Sequence, residues 1–454
     1  MKHFSQRAAT LAAAALGIAA AGAASADQAT TLGGLVVKSD DGNFIFSLGG
    51  RIHFDYTGII QDKNSGFDSG AAENDGGFYF RRVFISLSGK IYGWRYRIDE
   101  DIANTSNPAA GFQDMFISRD LGSYGTVRIG QTRAWHSMDS LLSNNDKIFT
   151  ERNVLSENGL FGGRDYTDGV FYRYNKTNAF KGNDNFWGGV SVYSLNKAGS
   201  TTNQGTGTPT QGMGYNARLA YAPLFTPRHW VHVGSSFSSD HADNGAALST
   251  GYSTWYSYKG VAQNIMSLKG DQPATTGTLA QIAGGNNPNA NTVTAELASA
   301  LGPLYLQGEF GQAKLRQPHP VSGAPNVQTA DAFSVEGSYY LTGESKVYEP
   351  GIGTISSPKP LHPYGAVEVA VRYDYIRNRN LPANDTKTCA PAIGSIRAGS
   401  FITKCSISSL DAGVNYYINP NVRFMLDYYH GTFDLGNAGK DKPDAVNARF
   451  QIAF

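Results

Sequence analysis

From Phe44 to Tyr56 the even positions read Phe44, Phe46, Leu48, Gly50, Ile52, Phe54 and Tyr56, while the odd ones include Ser47, Gly49, Arg51, His53 and Asp55. Side chains of a strand point alternately to opposite faces, so this segment has one face fit for lipid and one fit for water. A single strand of this kind fits a soluble sandwich equally well. The repetition separates the two. Comparable segments fall at 77–88, 93–103, 112–119, 124–133, 165–176, 184–196, 213–222, 229–238, 292–301, 303–316, 331–342, 364–378, 406–418, 421–434 and 445–454, with 112–119 and 229–238 the weakest. In 93–103, for instance, Trp94, Tyr96, Ile98 and Ile102 oppose Arg95, Arg97, Asp99 and Asp101. Segments of about 9–11 residues suit strands that cross a bilayer at a tilt, and an even number lets an antiparallel sheet close. The pattern predicts an all-β fold, a 16-stranded antiparallel transmembrane β-barrel.

The connections give an independent test. With the N-terminus in the periplasm, links after odd strands are extracellular and long, and links after even strands are short. The links 58–76, 134–164, 197–212 and 239–291 follow odd strands and are long. Gly89–Tyr92, Leu121–Ser123, Gly302–Pro303 and Asn419–Pro420 follow even strands and are short. Gly343–Pro363 breaks the rule, being long on the short side. Either it folds back into the pore mouth, or the count slips by one strand before it. The last segment places Val446, Ala448, Phe450, Ile452 and Phe454 on one face. As the edge of a soluble sheet it would invite aggregation, and closure against the first strand removes that edge.

Composition narrows the class. Among 454 residues there are 53 Gly, and only 17% are charged. Beyond the N-terminus no apolar run reaches the roughly 20 residues of a spanning helix, which excludes a helical membrane protein. A mean hydropathy of −0.31 is compatible with a barrel, whose strands show lipid one residue in two. Residues 1–26 read as a secretory signal: Lys2 and Arg7, then apolar Leu11–Ala24, then the small-x-small site Ala24-Ser25-Ala26. Residues 27–454 are then a single barrel domain. Removing Lys2 and Arg7 takes the formal net charge from +1 to −1, so no bulk attraction to nucleic acid is expected. Cys389 and Cys405 predict one disulfide in an exported chain, contributing about 3 kcal/mol by loop closure. Two free thiols are the alternative.

The candidate chemistry centres on Phe78–Leu87, where Arg81 and Arg82 interrupt an aromatic and branched strand. An anion entering a narrow pore loses water, and guanidinium groups replace that hydration with charge-assisted hydrogen bonds. Release requires that the binding be weak or shared. Equally, such arginines can pair with wall acids such as Asp55, Asp99 or Asp101 and set a field across the pore. Strand parity directs Val83, Ile85 and Leu87 to lipid, Arg82 to the lumen and Arg81 outward. A lipid-facing arginine at mid-depth costs about 2–4 kcal/mol. A bulge turning both inward is therefore preferred over a protomer interface at Arg81. Trp94, Tyr96, Tyr124, Trp187, Tyr416 and Tyr428 are candidates for the interfacial aromatic belt. His53, His136, His232 and His430 lack metal-ligand spacing, and no metal, cofactor or catalytic residue is predicted.

Several ordered blocks resemble the phosphate- and pyrophosphate-selective porin family: Gly50-Arg51-Ile52, Tyr79-Phe80-Arg81-Arg82, Glu151-Arg152-Asn153, Leu341-Thr342-Gly343-Glu344-Ser345, Arg372-Tyr373-Asp374-Tyr375-Ile376 and Arg449–Phe454. The resemblance implies a homotrimer in the bacterial outer membrane and a pore narrowed by its third extracellular loop (residues 134–164); no enzymatic activity is expected. It implies an anion-binding constriction of Arg51, Arg81 and Arg82, with Lys147 and Arg152 on the loop. Phosphate-selective members also carry closely spaced arginines after the ninth strand. Here that stretch, Tyr252–Lys259, is Tyr-Ser-Thr-Trp-Tyr-Ser-Tyr-Lys, with aromatics in their place. The leading expectation is a passive porin leaning to inorganic anions, phosphate or polyphosphate among them, or to small anionic solutes, seated in outer-membrane lipid. The alternatives are a general porin for small organic solutes and, remotely, an outer-membrane barrel hydrolase using His430.

Overall fold

The computed structural model describes residues 26–30, 34–60, 74–103, 111–157, 166–194, 212–241, 289–316, 327–380, 404–434, 436–438, 440–442 and 444–454. The signal segment up to residue 25, Cys389 and the stretch Tyr252–Lys259 lie outside the described residues, and with them the expectations of cleavage, of the disulfide and of the loop after the ninth strand.

Sixteen antiparallel strands make the wall: β1 (Phe44–Ile60), β2 (Asn74–Ile91), β3 (Trp94–Asp101), β4 (Phe112–Asp120), β5 (Thr126–Thr132), β6 (Thr167–Thr177), β7 (Asn185–Ser194), β8 (Met213–Phe225), β9 (His229–His241), β10 (Asn289–Leu301), β11 (Leu304–Arg316), β12 (Val327–Tyr340), β13 (Ala366–Asn378), β14 (Cys405–Tyr417), β15 (Val422–Asp434) and β16 (Asp444–Ala453). Each pairs with the next, and β16 pairs with β1 from Asp444↔Ile60 to Ala453↔Arg51, so the sheet closes. Every segment expected from the alternation is a strand.

The alternation also sets which face is which. On β10, Val293 and Leu297 point out and are about half exposed, while Thr292, Thr294, Glu296, Ala298 and Ala300 point in and are buried. This is the reverse of a soluble sheet and suits a wall between lipid and a polar lumen. The short turns follow local chemistry: Tyr92 and Gly93 both have positive φ (46° and 83°), as a two-residue hairpin linking β2 to β3 requires. Ahead of β1 lies a small hairpin, Ala26–Thr30 with Leu35–Ser39, which pairs Leu35–Lys38 with Ile45–Leu48 of β1. Just above it the seam is locked by Gly50 N–H donating to the Phe454 carbonyl (2.8 Å) and Phe454 N–H to the Gly50 carbonyl (3.0 Å). A side chain at Gly50 would bring its Cβ within 2.5 Å of the Phe84 carbonyl oxygen.

Two inserts occupy the lumen. The first is the link from β5 to β6, with two single-turn helices, α1 (Met138–Leu141) and α2 (Val154–Glu157). The second is the long link from β12 to β13. Those two strands are adjacent and antiparallel, so the strand count does not slip. The link folds back inside as a strap whose tip is a hairpin, Val347–Glu349 with Thr354–Ser356. Met138, Leu142, Ile148 and Phe149 of the first insert, Tyr348 and Ile355 of the strap, and Trp230, Tyr305, Ala298 and Ala300 of the wall form one apolar cluster inside the barrel. Inward alanines on β8, β10 and β13 leave the room. Trp187 belongs to this interior, fully buried with Nε1 donating to the Gly351 carbonyl at 3.0 Å. It is therefore not a belt residue. It shares the inward face of β7 with Asn185, Ser191 and Tyr193. Trp94, Tyr124, Tyr416 and Tyr428 do face outward and are exposed.

Candidate functional site

The two consecutive arginines are reconciled by a bulge. His53 pairs with Arg82 and Phe54 with Phe80, leaving Arg81 as the extra residue of β2. One extra residue resets the parity of the strand. Below it Arg82 is inward. Above it Phe78 and Phe80 are outward and well exposed, while the Tyr79 hydroxyl reaches Thr57 Oγ1 at 3.1 Å. Arg81 itself turns in and bonds Glu151 of the β5–β6 insert, Nε to Oε1 at 3.2 Å and Nη2 to Oε2 at 3.3 Å. Asp101 Oδ1 accepts from Val83 N–H (3.0 Å), taking up a ladder donor next to the bulge.

The lumen is asymmetric. Inward side chains of β7–β16 are buried beneath the two inserts, including Trp187, Trp230, Tyr305, Arg218, Arg372 and Arg449. On β1–β5 the inward arginines Arg51, Arg82, Arg97 and Arg128 are only partly buried, from 12% side-chain exposure at Arg82 to 43% at Arg97 among the paired ones. Arg51 stacks 3.9 Å above the Phe84 ring and Arg128 3.9 Å above Phe116, and Arg133 of the insert stacks 4.8 Å from Tyr166. Stacking fixes the plane of each guanidinium, and Arg128 and Arg133 are further held by Nη1 donating to Thr132 Oγ1 (2.8 Å) and to the Ser140 carbonyl (2.5 Å). Carboxylates are interleaved. Arg82 lies 3.8 Å from Asp101, and Arg97 lies 2.8 Å from Asp99 and 3.8 Å from Asp114. The open passage thus carries alternating positive and negative groups with a positive excess, a pattern that can pull an anion in and hand it on.

The β5–β6 insert is fastened to the far wall through its backbone. Thr150 N–H donates to Asp427 Oδ2 (2.6 Å), Arg449 to the Thr150 carbonyl (2.9 Å), Asn415 to the Ile148 carbonyl (2.9 Å) and Arg372 to the Glu151 carbonyl (3.0 Å). On β11, Glu309 accepts from Met138 N–H (2.7 Å) and Asp139 N–H (3.1 Å), capping α1. The strap joins in: Thr354 Oγ1 donates to the Met138 carbonyl (3.0 Å) and Ser357 N–H to Asp146 Oδ1 (2.9 Å).

Of the residues expected at the constriction, Arg51 and Arg82 share the Phe84 ring, at 3.9 and 5.9 Å, and are partly exposed on the lumen face. Arg81 is spent on Glu151. Burial alone would raise the Glu151 carboxyl, but Arg81 and Lys147 hold it down at about 2, so it is charged. Lys147 is buried, with Nζ donating to the Thr150 carbonyl at 2.5 Å. Burial, then the Arg449 charge, push its ammonium well below the usual lysine range. Arg152 is buried too, donating to the carbonyls of Asp139 and Leu142 (2.6 Å for the latter) and to Asn144 Oδ1 (3.1 Å). Arg97, Arg128 and Arg133 are the passage arginines that the family likeness did not point to. Parity alone places Arg97 on the lumen face. His136 in the insert is pushed down to about 3 by burial and meets Ser236 Oγ at 3.1 Å, and His430 sits on the outer face with Asp444 Oδ1 at 2.6 Å.

A closed barrel of this strand number with a charged, partly filled lumen is an outer-membrane porin, a channel of the bacterial outer membrane. The chain belongs to the family of phosphate-selective porins O and P, which it matches over residues 46–454. It is 26% identical over 434 residues to porin O of Pseudomonas aeruginosa, covering 93% of this chain and 92% of that protein. Among solved structures it is similar in fold to OprB of Pseudomonas putida (TM-score 0.52, 12% identity, 90% of this chain and 94% of that one). It is also similar to OmpT of Vibrio cholerae (TM-score 0.51, 13% identity, 92% and 99%).

Proposed function

We propose that this porin is a passive channel that prefers anions, with Arg51 and Arg82 at its narrowest charged point and Arg97, Arg128 and Arg133 extending the path. The observation that supports this reading is the position of these guanidinium groups, which stay partly exposed where those of the far wall are fully covered. They line the open half of the lumen, where the interleaved carboxylates number fewer. Substrates are inorganic anions or small anionic solutes. Lys147 and Arg152 act by holding the constricting insert in shape. The channel reading stands against an enzyme: His430 pairs with Asp444 on the outer face, away from the lumen.

We extend the reading to the assembly. The protein works as a homotrimer, as the trimer form of Vibrio cholerae OmpT invites, embedded in outer-membrane lipid with no nucleic-acid partner, after removal of residues 1–26. A second reading, a general porin for small organic solutes, draws on Asp99, Asp101 and Asp114 between the arginines, which produce a transverse field. Planar-bilayer reversal potentials under a potassium chloride gradient separate the two. Anion preference is expected, with chloride current inhibited by millimolar phosphate if the path also binds it. A cation-selective reversal potential would refute the anion reading.

A further inference from the structure

The outer surface of the barrel carries a second arginine and lysine cluster that has no part in the pore. On β12 the outward residues include Phe333, Val335 and Tyr339, and on β13 Val371, Tyr373 and Tyr375. Continuing the same parity toward the long-loop end brings Asp331 and Arg377, which pair across the two strands. Arg377 Nε lies 3.1 Å from Asp331 Oδ2, and Arg379, one step further along, is bonded to the same oxygen. Two strands on, Lys404 (2.7 Å) and Lys440 (3.2 Å) share Asp434 Oδ2 in the same way, and Asp434 continues the outward face of Leu426 and Tyr428.

Three features distinguish this row from ordinary surface ion pairs. Each carboxylate serves two cations, so each pair of clustered side chains keeps an uncompensated positive charge. The cations are about half exposed, at 47% for Arg377, 45% for Arg379, 52% for Lys404 and 57% for Lys440, whereas Asp331 and Asp434 are nearly covered. The surroundings are those of a membrane boundary. One row below, Phe333 packs 5.4 Å from Tyr375 and 5.8 Å from Tyr373, an aromatic belt under the charges. Beyond β16, which separates it from this row, the outward face of β1 and β2 shows aromatic groups, Phe54, Tyr56, Phe78 and Phe80, and no cation among the described side chains.

Clustered positive charge at the edge of a hydrocarbon layer is unfavourable unless an anion at the same depth completes it. Two clusters two strands apart are separated by on the order of 10 Å. That matches a sugar disaccharide carrying a phosphate toward each end, and arginine forks suit such phosphates. We propose that the β12–β15 rim is a binding site for the phosphorylated glycolipid of the outer leaflet, with Arg377 and Arg379 on one phosphate and Lys404 and Lys440 on the other. The site rests on the orientation with short turns in the periplasm, which puts this rim at the outer leaflet.

The test uses the purified full-length protein in detergent, titrated with bisphosphorylated lipid A and with the same lipid stripped of phosphate, and read by native mass spectrometry. The bisphosphorylated lipid is expected to stay bound, with the phosphate-free lipid at least tenfold weaker. The combined variant R377Q, R379Q, K404Q and K440Q is expected to abolish that difference while single-channel conductance and reversal potential stay as in the parent, because none of these side chains faces the lumen. Equal retention of the two lipids by the parent protein would overturn the site, as would undiminished retention by the variant. So would a variant that keeps its lipid but changes its number of subunits, which would assign the row to contact between copies. If the combined variant does not assemble, K404Q alone and the two-lipid comparison on the parent protein decide the matter.

Discussion

The two halves of the lumen use the same residue types to opposite ends. On β1–β5, Arg51 and Arg128 stack on aromatic rings, Arg97 pairs with Asp99 and Asp114, and all stay partly exposed. On β7–β16, Arg218, Arg372 and Arg449 are fully covered, and their donors are taken by wall carboxylates and by carbonyls of the inserts: Arg218 by Glu296 at 2.7 Å and the Gly353 carbonyl at 2.6 Å, Arg449 by Asp55 at 2.7 Å. Arginine in a barrel is thus a pore residue or a fastener according to what lies above it. Charge at a wall position does not decide the role. The covering element does, and here it is the β5–β6 insert and the strap from the opposite end.

The largest effect is expected from removing the cover. Deleting residues 347–356 exposes the β6–β11 side of the lumen, and single-channel conductance is expected to rise severalfold, with Arg218 added to the passage. An unchanged conductance would mean the strap bounds no part of the path. The next effect in size is local. Tyr348→Ala removes a buried ring of the interior cluster and its bond to His232 (2.9 Å), weakening strap docking by roughly 3 kcal/mol. Faster amide exchange over 345–357 with the barrel intact is the expected readout. Arg82→Ala should lower the anion-to-cation permeability ratio about fivefold, the equivalent of about 1 kcal/mol for one charge acting across a hydrated lumen. Lys147→Met should leave the reversal potential where it is. If it moves the potential as much as Arg82→Ala does, the distinction between passage and fastening cations fails.

The fastening of the insert also depends on pH. The Glu151 carboxyl is depressed to about 2, so the anchoring it provides is complete above the ordinary carboxylate range and is lost only as pH falls through about 2. Open-channel current noise from the insert is expected to stay flat from neutral pH down to pH 4 and to grow below pH 3. Noise rising already near pH 5 would indicate that Arg81 and Lys147 do not hold the carboxyl down.

Much of this architecture is readable along the chain, and the reasons are physical. Period-two alternation in sixteen segments survives because each wall strand must face lipid on one side, whatever fills the inside. The Arg81 bulge follows from parity: two consecutive arginines in a wall strand leave one outward unless a residue is inserted. The long Gly343–Pro363 link stood out by its length. The assignments that parity could not supply depend on contacts between distant segments. Nothing local in Asn145-Asp146-Lys147-Ile148 tells that Lys147 will be capped by the Thr150 carbonyl. Trp187 was readable after all, since it alternates in step with Asn185 and Ser191 on the inward face, but its aromatic character suggested the belt. The outward row of Arg377 and Arg379 is equally open to parity, since both alternate in step with Val371, Tyr373 and Tyr375.

The seam at Gly50 and Phe454 has a consequence for how the molecule comes into being. Arg449 and Asp55, which face each other across that seam, are 394 positions apart in the chain. Neighbouring wall strands can zip up as hairpins, but the last pairing joins the most distant partners and brings its reward only after every other pairing is in place. Until then β16 and the part of β1 above the N-terminal hairpin are bare edges, each with unpaired backbone groups and an apolar face. Assembly therefore passes through an open, curled sheet whose lifetime is set by how quickly its two ends find each other, and that interval is when the protein is most exposed to pairing with the wrong chain.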